Sequence, residues 1–456
     1  MEDHQKSVLF EQAPIPQAVM KLAVPTVLSS LVMVLYSLAD TWFVGLLNDP
    51  IQNAAVTLAS PMLLAFNAVN NLFGVGSSSM MGRALGRKDY DTVKHSSSFG
   101  FWAALVSGLL FSLLFTSLRT PFLQLLGASE ENVSATAAYL HWTVTLGAAP
   151  SILNVVLAYL VRTEGAAMHA SIGTMSGCLL NIVLDPIFVL PRGLGMGAAG
   201  AGLATVLSNC FACLYFFVLL AVRRKKTYVC VNPRMAVPKK SVILGICGVG
   251  IPAAIQNLLN VTGMTVLNNF VSAFGSDAVA AMGISYKVYM VPMQIAWGVA
   301  QGIMPLISYN YGSRDYGRGK RTVLFTATIF LSFMAVVTAV FYGCSGGLIQ
   351  LFIQKPDIVA YGTRFLRGMC LALPFQCMDF LGVATYQSCG KGTLSLIFAF
   401  LRKLVLEIPA LFILNRLFPL YGLAYAQFVA EFVLAFGAVF VLRRMFSNLQ
   451  PGKAST

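Results

Sequence analysis

Long apolar runs separated by short polar connections dominate this chain. Most runs reach the roughly 20 residues that a helix needs to cross a bilayer. Only helices and closed barrels satisfy the backbone in lipid, and helical spacing within runs of this length indicates helices. We therefore predict an all-α polytopic membrane protein. Its twelve spans are expected near 17–46, 53–81, 95–118, 134–160, 169–190, 198–222, 242–274, 279–309, 322–346, 360–387, 394–415 and 421–442.

The polar connections reveal an internal repeat. The segment 86–90 (Gly-Arg-Lys-Asp-Tyr) matches the segment 312–316 (Gly-Ser-Arg-Asp-Tyr), a shift of 226 positions (312 minus 86). Six spans in each half bring both halves into the membrane in the same direction, which predicts a parallel pseudo-two-fold repeat about the membrane normal. The expected domains are an N-terminal six-helix lobe at 1–223, a basic linker at 224–240 and a C-terminal six-helix lobe at 241–456.

Composition and charge fix the class of protein and its orientation. Hydrophobic residues make up 57% of the chain and charged residues 11%, against about 25% charged in soluble domains. The net charge of +14 does not indicate nucleic-acid binding, because the basic residues cluster in the connections on one side of the spans. The positive-inside rule places those connections and both termini in the cytoplasm of a multi-pass plasma (inner) membrane protein. The basic set includes Arg83, Arg87, Lys88, Lys94, Arg162, Arg223, Arg224, Lys225, Lys226, Arg314, Arg318, Arg443, Arg444 and Lys453. The polar stretch Met1–Pro16 has no apolar core, so we expect no cleavable signal peptide.

One acid lies in the middle of an apolar span. Asp185 follows Asn181 by one turn and precedes Pro186. An ionisable group at this depth costs roughly 3 kcal/mol and is functional by default. The spacing places Asn181 and Asp185 on one face, and Pro186 leaves a carbonyl without its amide partner. An acid, an amide and a free carbonyl predict a site for a small cation.

Span 1 carries a second acid, Asp40, one turn after Tyr36. Because the span ends soon afterwards, Asp40 is either part of a functional site or a solvated residue at the outer mouth. Thr205 in span 6, and Tyr139 and Asn154 in span 4, either face the same cavity or form hydrogen bonds between helices. Bends are expected at three intramembrane prolines, Pro25, Pro186 and Pro252.

The second half carries a different set of polar residues. We expect several of them to line a cavity between the halves, and Lys287 to pair with Asp379 across it. Lys403 and Glu407, one turn apart in span 11, form either an ion pair or part of the cavity. Methionines such as Met290 give an adaptable wall for varied ligands or simply pack in the membrane. The candidate cavity residues of this half are Gln256, Asn257, Asn260, Lys287, Met290 and Asp379.

Several kinds of chemistry are excluded. The glycine-rich segments lack the Gly-Lys-Ser/Thr of a phosphate-binding loop, and the sequence shows no pairing of a nucleophile with a base. We therefore predict a protein that is not an enzyme and needs no cofactor. If it pumps, an ion gradient supplies the energy.

The ordered motifs resemble the multidrug and toxic compound extrusion (MATE) family, including its bacterial MepA/DinF-like exporters. They span nearly the whole chain. They are the segment 39–45 (Ala-Asp-Thr-Trp-Phe-Val-Gly), the repeated 86–90 and 312–316 segments, Arg162-Thr-Glu-Gly165, Asn181-x-x-x-Asp185-Pro186, the segment 200–205 and Tyr386-Gln-Ser-Cys-Gly-Lys391.

The resemblance implies two lobes that rock to export organic cations against inward H⁺ or Na⁺. It places the cation-coupling site, a possible Na⁺ site, at Asp40, Asn181, Asp185 and Thr205. Tyr36, Asn154 and Pro25 match residues around the same cavity. One branch of the family uses carboxylates in spans 7 and 10. Here Asp379 matches the span 10 acid but Asn260 occupies the span 7 position, so a sodium site of that type is not expected.

Three classes of function compete. The leading hypothesis is a monomeric antiporter of lipophilic cationic small molecules. The alternative is a flippase for a lipid-linked precursor from the same superfamily. Its basic cavity would use Lys287, Arg402 and Lys403, whereas the twelve spans and the first-half acids argue against it. A major facilitator transporter also has twelve spans, but the segment 83–88 matches that family's loop only incompletely.

Overall fold

The computed structural model describes residues 8–237 and 239–448. The outermost parts of both termini, including Lys453 of the predicted cytoplasmic tail, lie outside the described residues. The described chain is helical and contains no strand. Its first lobe consists of α1 (Ile15–Gly45), α2 (Pro50–Gly86), α3 (Tyr90–Ser117), α4 (Val133–Leu146 and Ala148–Thr163), α5 (Ala167–Val189) and α6 (Ala198–Val222). Its second lobe consists of α7 (Lys240–Ser272), α8 (Ser276–Gly312), α9 (Tyr316–Gln350), α10 (Pro356–Cys370 and Leu373–Ser388), α11 (392–417) and α12 (Tyr421–Asn448).

The predicted fold of twelve membrane helices in two bundles is confirmed. In the described chain, nine single helices are long and apolar enough to cross a bilayer, and the two bent pairs α4 and α10 bring the number to eleven. The remaining helix, α11, runs continuously through Gly392–Phe400, Leu401–Glu407 and Ile408–Leu417. It carries three charges near its middle, Arg402, Lys403 and Glu407. The protein tolerates these charges because they are paired inside the second lobe, as described below.

Equivalent helices of the two lobes bend at equivalent places. The two segments of α4 meet at 49° and those of α10 at 45°. Pro150 and Pro374 lie just inside the second segment of each helix, where a missing backbone N–H costs little. In contrast, the helices continue through Pro25, Pro186 and Pro252. A hinge role for those three prolines stays a prediction.

The repeated motif builds the same turn in both lobes. Asp89 caps α3 by accepting a hydrogen bond from the Thr92 amide at 3.1 Å, and Asp315 caps α9 through the Arg318 amide at 2.9 Å. The residue before each aspartate has a positive φ, 59° in the first lobe and 64° in the second. We call the end of the bundles that carries these turns the basic end, after the Lys and Arg residues of its connections.

Glycines bring the two lobes together at the basic end. A Cβ atom on Gly86 would overlap the carbonyl oxygen of Tyr309, and a Cβ on Gly312 would overlap the carbonyl oxygen of Arg83. Gly302 of α8 also lies close to the backbone of Ala23 in α1, at 2.7 Å from its would-be Cβ to Cα. The helix α8 is thus in backbone-to-backbone contact with α1 and α2 at this end.

An N-terminal segment, Val8–Gln12, crosses the junction between the lobes at the basic end. Phe10 stacks on Tyr309 of α8 with ring centroids 4.7 Å apart, and Glu11 accepts a hydrogen bond from the Tyr309 hydroxyl at 2.6 Å. Arg318 of α9 donates to the Phe10 carbonyl at 2.7 Å. Phe10 also lies 3.1 Å from the Cβ position of Gly165 in the first lobe. The segment therefore contacts both lobes.

The long connection between α6 and α7 packs on the first lobe. Trp102 of α3 donates to the Val231 carbonyl at 3.0 Å, and Ser98 donates to the Asn232 carbonyl at 2.6 Å. The predicted linker is therefore held against α3 over these residues. The domain bounds themselves stay a prediction.

We predict that Gly86→Ala opens the basic end. The added methyl group meets the Tyr309 carbonyl, and overpacking of this kind costs about 1–3 kcal/mol. Amide hydrogen exchange in residues 303–312 of α8 should then rise by roughly tenfold or more. Gly343→Ala is the control, because no atom lies within 4 Å of its Cβ position. Equal exchange in the two variants would show that the glycine contact does not limit opening.

Candidate functional site

The predicted residues of α5 and α6 form one hydrogen-bonded group. Asp185 has no exposed surface, and Asn181 is 1% exposed. With its amide oriented toward the carboxylate, Asn181 donates to Asp185 Oδ2 at 2.8 Å and accepts from the Thr205 backbone N–H at 3.1 Å. One turn of α5 thus places both polar groups on the face that packs against α6. Asn181 links the acid to Thr205, as an orienting residue would.

The structure brings Asp40 and two tyrosines to the same place. Asp40 of α1 lies close enough to Asp185 of α5 for the two carboxylates to repel each other when both are ionised. Tyr36 lies near Thr205 and Asp40, and Tyr139 lies near both acids. Asp40 Oδ1 is buried and has no hydrogen-bond partner among the described residues. The side chain as a whole is half-buried, so Asp40 has one enclosed oxygen, and the choice between a functional site and a residue at the outer mouth stays a prediction.

The two acids of the first lobe have no basic partner. No Lys or Arg of the described chain interacts appreciably with either Asp40 or Asp185. Two neighbouring carboxylates in a low dielectric repel each other when both are ionised, so uptake of a cation between them is favoured. Carboxylate, amide and hydroxyl oxygens are ligands that a small hard cation accepts, and either carboxylate can bind a proton. The groups at this site are therefore chemically suited to bind H⁺ or Na⁺.

Asn154 makes its hydrogen bonds elsewhere. It donates to Asn209 Oδ1 of α6 at 3.0 Å and to the Pro150 carbonyl of its own helix at 3.0 Å. Asn209 donates in turn to Ser151 at 2.7 Å. These contacts join α4 to α6 beside the acidic site. Asn154 therefore forms hydrogen bonds between helices, which is one of the two roles expected for it.

The charges of the second lobe are paired. Arg402 of α11 donates to Asp379 of α10 at 2.7 Å and to Asn260 of α7 at 2.5 Å. Lys403 donates to Glu407 at 2.6 Å, which confirms the ion pair predicted from their spacing. The expected pairing of Lys287 with Asp379 is wrong, because Arg402 occupies that carboxylate and Lys287 is exposed. Arg402 is only 2% exposed, so it joins three helices inside the lobe.

The other predicted cavity residues are spread around these pairs. Gln256 is buried and accepts a hydrogen bond from Gln387 of α10 at 3.3 Å. Asn257 and Met290 are half-buried. Of the predicted cavity residues on α7 and α8, Asn260 is the one joined to Asp379, through Arg402.

Our reading of the sequence missed Glu431 of α12. This acid is 1% exposed and lies 3.8 Å from the Arg402 guanidinium, measured from Oε1 to Nη1. The signal was present, because Glu431 is a lone acid within an apolar run, as Asp185 is.

Two repeated helical bundles meet at one end, and one of them contains two neighbouring acids on which no base of the described chain acts. These are features of a membrane transporter. The comparisons with known proteins support this class. The MatE family model matches residues 25–187 and 252–413, one region in each half. The chain belongs to the MatE family.

Relatives of known activity are similar over their full length. The multidrug export protein MepA of Staphylococcus haemolyticus is 33% identical over 456 residues, covering 100% of this chain and 99% of the relative. MepA of Staphylococcus aureus (strain MSSA476) is 33% identical over 97% of this chain and 96% of its own. A solved structure described as the outward-facing conformation of a multidrug resistance MATE family transporter of the MOP superfamily has a TM-score of 0.91. It is 26% identical, and the match covers 97% of this chain and 98% of that one. This protein is accordingly a multidrug efflux transporter and not an enzyme.

We predict that Arg402→Met strongly destabilises the protein. The change leaves Asp379 buried without its cation, and breaking one side of a buried ion pair costs roughly 3–5 kcal/mol. Thermal unfolding in detergent should therefore shift to a clearly lower midpoint. Lys355→Met is the control, because its pair with Asp277, also at 2.7 Å, is exposed and such pairs contribute about 0–1 kcal/mol. Similar midpoints for the two variants would contradict a structural role for Arg402.

Proposed function

We propose that the protein exports lipophilic organic cations by antiport with H⁺ or Na⁺, and that the two lobes rock between alternating states. The coupling site is Asp40, Asn181, Asp185 and Thr205 in the first lobe. The single observation that carries this proposal is the neighbouring pair of acids, buried Asp185 and half-buried Asp40, with no base acting on either among the described residues. An uncompensated negative site inside a membrane protein is suited to bind and release a cation in each cycle.

The contacts at the basic end suggest how binding is coupled to movement. With that end closed, the structure corresponds to one of two alternating states, and its likeness to an outward-facing transporter supports this assignment. Coupling requires that the ion and the drug differ in their affinity for the two states. The site on α1, α5 and α6 is placed for this role, because α1 also carries the glycine contact to α8.

The pairing of the second-lobe bases supports a cationic substrate. Arg402 and Lys403 are each bound to an acid, so two of the three bases that favoured a lipid phosphate are already neutralised. Lys287 is the remaining member of that set. A cation would gain from the first-lobe acids and from aromatic faces, which contribute about 1–2 kcal/mol each when desolvated. An anion would meet those acids unpaired.

The remaining expectations belong to the same proposal. We infer a monomer in the plasma membrane with the basic end and both termini in the cytoplasm, because the basic connections lie at one end of the helices. With the basic end in the cytoplasm, the described state is closed toward the cell interior.

We predict that Asp185→Asn abolishes coupled efflux while expression stays unchanged, because the amide keeps the shape but removes the exchangeable charge. The measurement is ethidium efflux from vesicles under separately imposed proton and sodium gradients. Asp49→Asn is the matched control, because Asp49 caps a helix start through the Ile51 amide at 2.9 Å and asparagine caps equally well. Asp379→Asn should reduce coupling less than Asp185→Asn does. The reverse order, or full efflux in Asp185→Asn, would reject the first-lobe assignment.

We also predict selectivity for cations in a binding panel. Ethidium-like cations should bind to the purified protein, whereas lipid phosphates and anionic dyes should not. Lys287→Ala should leave cation binding unchanged, because that side chain is the exposed base and not part of the acidic site. Binding restricted to the anionic compounds and weakened by Lys287→Ala would favour the flippase instead.

A further inference from the structure

Glu431 is a buried acid that the proposed coupling site does not use. It lies in the middle of α12, and neither of its carboxylate oxygens has a hydrogen-bond partner among the described residues. Its nearest base is Arg402, at 3.8 Å, which exceeds hydrogen-bond distance. An ionised carboxylate without hydrogen bonds in this environment would be strongly destabilised.

The charges that face Glu431 do not balance. The groups that act on it are Asp379 of α10 and Arg402, Lys403 and Glu407 of α11. Tyr289 of α8 also lies near it and donates a hydrogen bond to Gln376. Three acids, including Glu431 itself, therefore face two bases. Full ionisation would leave one negative charge in excess inside the membrane, and the cluster can lower its energy by taking up one cation.

The geometry points to Glu431 as the acid that takes up this cation. Asp379 is bound to Arg402 at 2.7 Å, and Glu407 is bound to Lys403 at 2.6 Å. Glu431 is the acid of the three that has no such contact. Protonating either of the others would break a short ion pair, whereas protonating Glu431 breaks none.

A proton fits this place better than a metal ion. Asp379 and Glu407 are already bound to Arg402 and Lys403, so Glu431 is the single carboxylate of the cluster left for a metal ion. Arg402 and Lys403 would also repel a metal cation at this distance. A proton needs only one oxygen atom to bind to. Asp379 Oδ1 also has no hydrogen-bond partner among the described residues, so the cluster contains a further free acceptor.

We propose that Glu431 is a proton-binding residue of the second lobe. In this conformation it carries the proton that neutralises the cluster of Asp379, Arg402 and Glu431. It releases that proton when a cationic substrate supplies the positive charge. On release the O–H bond breaks, the electron pair stays on the carboxylate, and the proton passes to water that enters as the helices rearrange. Arg402 then has two ionised acids to bind. The release step rests on the proposed export of cations, whereas the protonation does not.

The first experiment measures the proton directly. Infrared spectra of the purified protein should show one carboxylic acid band fewer in Glu431→Gln than in the unchanged protein. Asp277→Asn is the control, because this exposed acid is paired with Lys355 at 2.7 Å and should contribute no such band. Identical carboxylic acid bands in Glu431→Gln and the unchanged protein would overturn the proposal.

Stability provides a second measurement. If Glu431 is neutral, Glu431→Gln and Glu431→Leu should both fold with little change in thermal midpoint. If it is instead an ionised partner of Arg402, both variants lose that partner and unfold at much lower temperature. Misfolding of both variants therefore counts against the proposal.

The third measurement tests release. When ethidium binds in a weakly buffered solution, Glu431→Gln should release one proton fewer per bound cation than the unchanged protein. Loss of the infrared band with unchanged proton release would refute the release step and keep the protonated site. An unchanged band, combined with a loss of coupling in Asp185→Asn, would reject Glu431 as a proton site and leave the proposed antiport intact.

Discussion

The hydrocarbon interior offers no water, so every charge that the helices carry into it must be balanced by the protein itself. The two lobes meet this requirement differently. In the second lobe, Arg402 and Lys403 bind Asp379 and Glu407 within the bundle. In the first lobe, Asp40 and Asp185 are surrounded by an amide, a hydroxyl and two tyrosines, with no base acting on them. Lobes of the same topology thus differ in their charges: in the second lobe two bases pair with two acids and leave Glu431 over, whereas in the first lobe neither acid has a base.

Much of the fold was predictable because the bilayer restricts it. Span length, the repeated Gly-x-x-Asp-Tyr segment and the distribution of bases predicted twelve helices in two related bundles. The adjacency of Asn181 and Asp185 followed from one helical turn, and the family resemblance added Asp40 and Thr205. The partner of Asp379 was not predictable in this way. Its identity depends on the rotation of α10 relative to α11, and periodicity within a single helix does not specify that angle.

The positions of the helix bends were also not predictable from the sequence of single helices. The proline pattern drew attention to Pro25, Pro186 and Pro252, yet the breaks of more than 40° lie beside Pro150 and Pro374. A proline inside a helix removes one hydrogen bond, and packing against neighbouring helices decides whether the axis then breaks. Glu431 was missed for a different reason. Glu431 is a lone acid within an apolar span, and it is 1% exposed. The sequence pattern that marks Asp185 as an intramembrane acid therefore marks Glu431 as well.

The glycine contacts at the basic end relate the two lobes by the symmetry of the repeat. Gly86 meets the carbonyl of Tyr309, and Gly312 meets the carbonyl of Arg83. Because the partners are related by the same 226-residue shift as the glycines (309 minus 83), each lobe presents the same patch to the other. An isologous contact of this kind is the contact that a two-fold homodimer uses. Surfaces already present in each half therefore specify how the lobes pair, and two half-length subunits could assemble through them without a covalent connection.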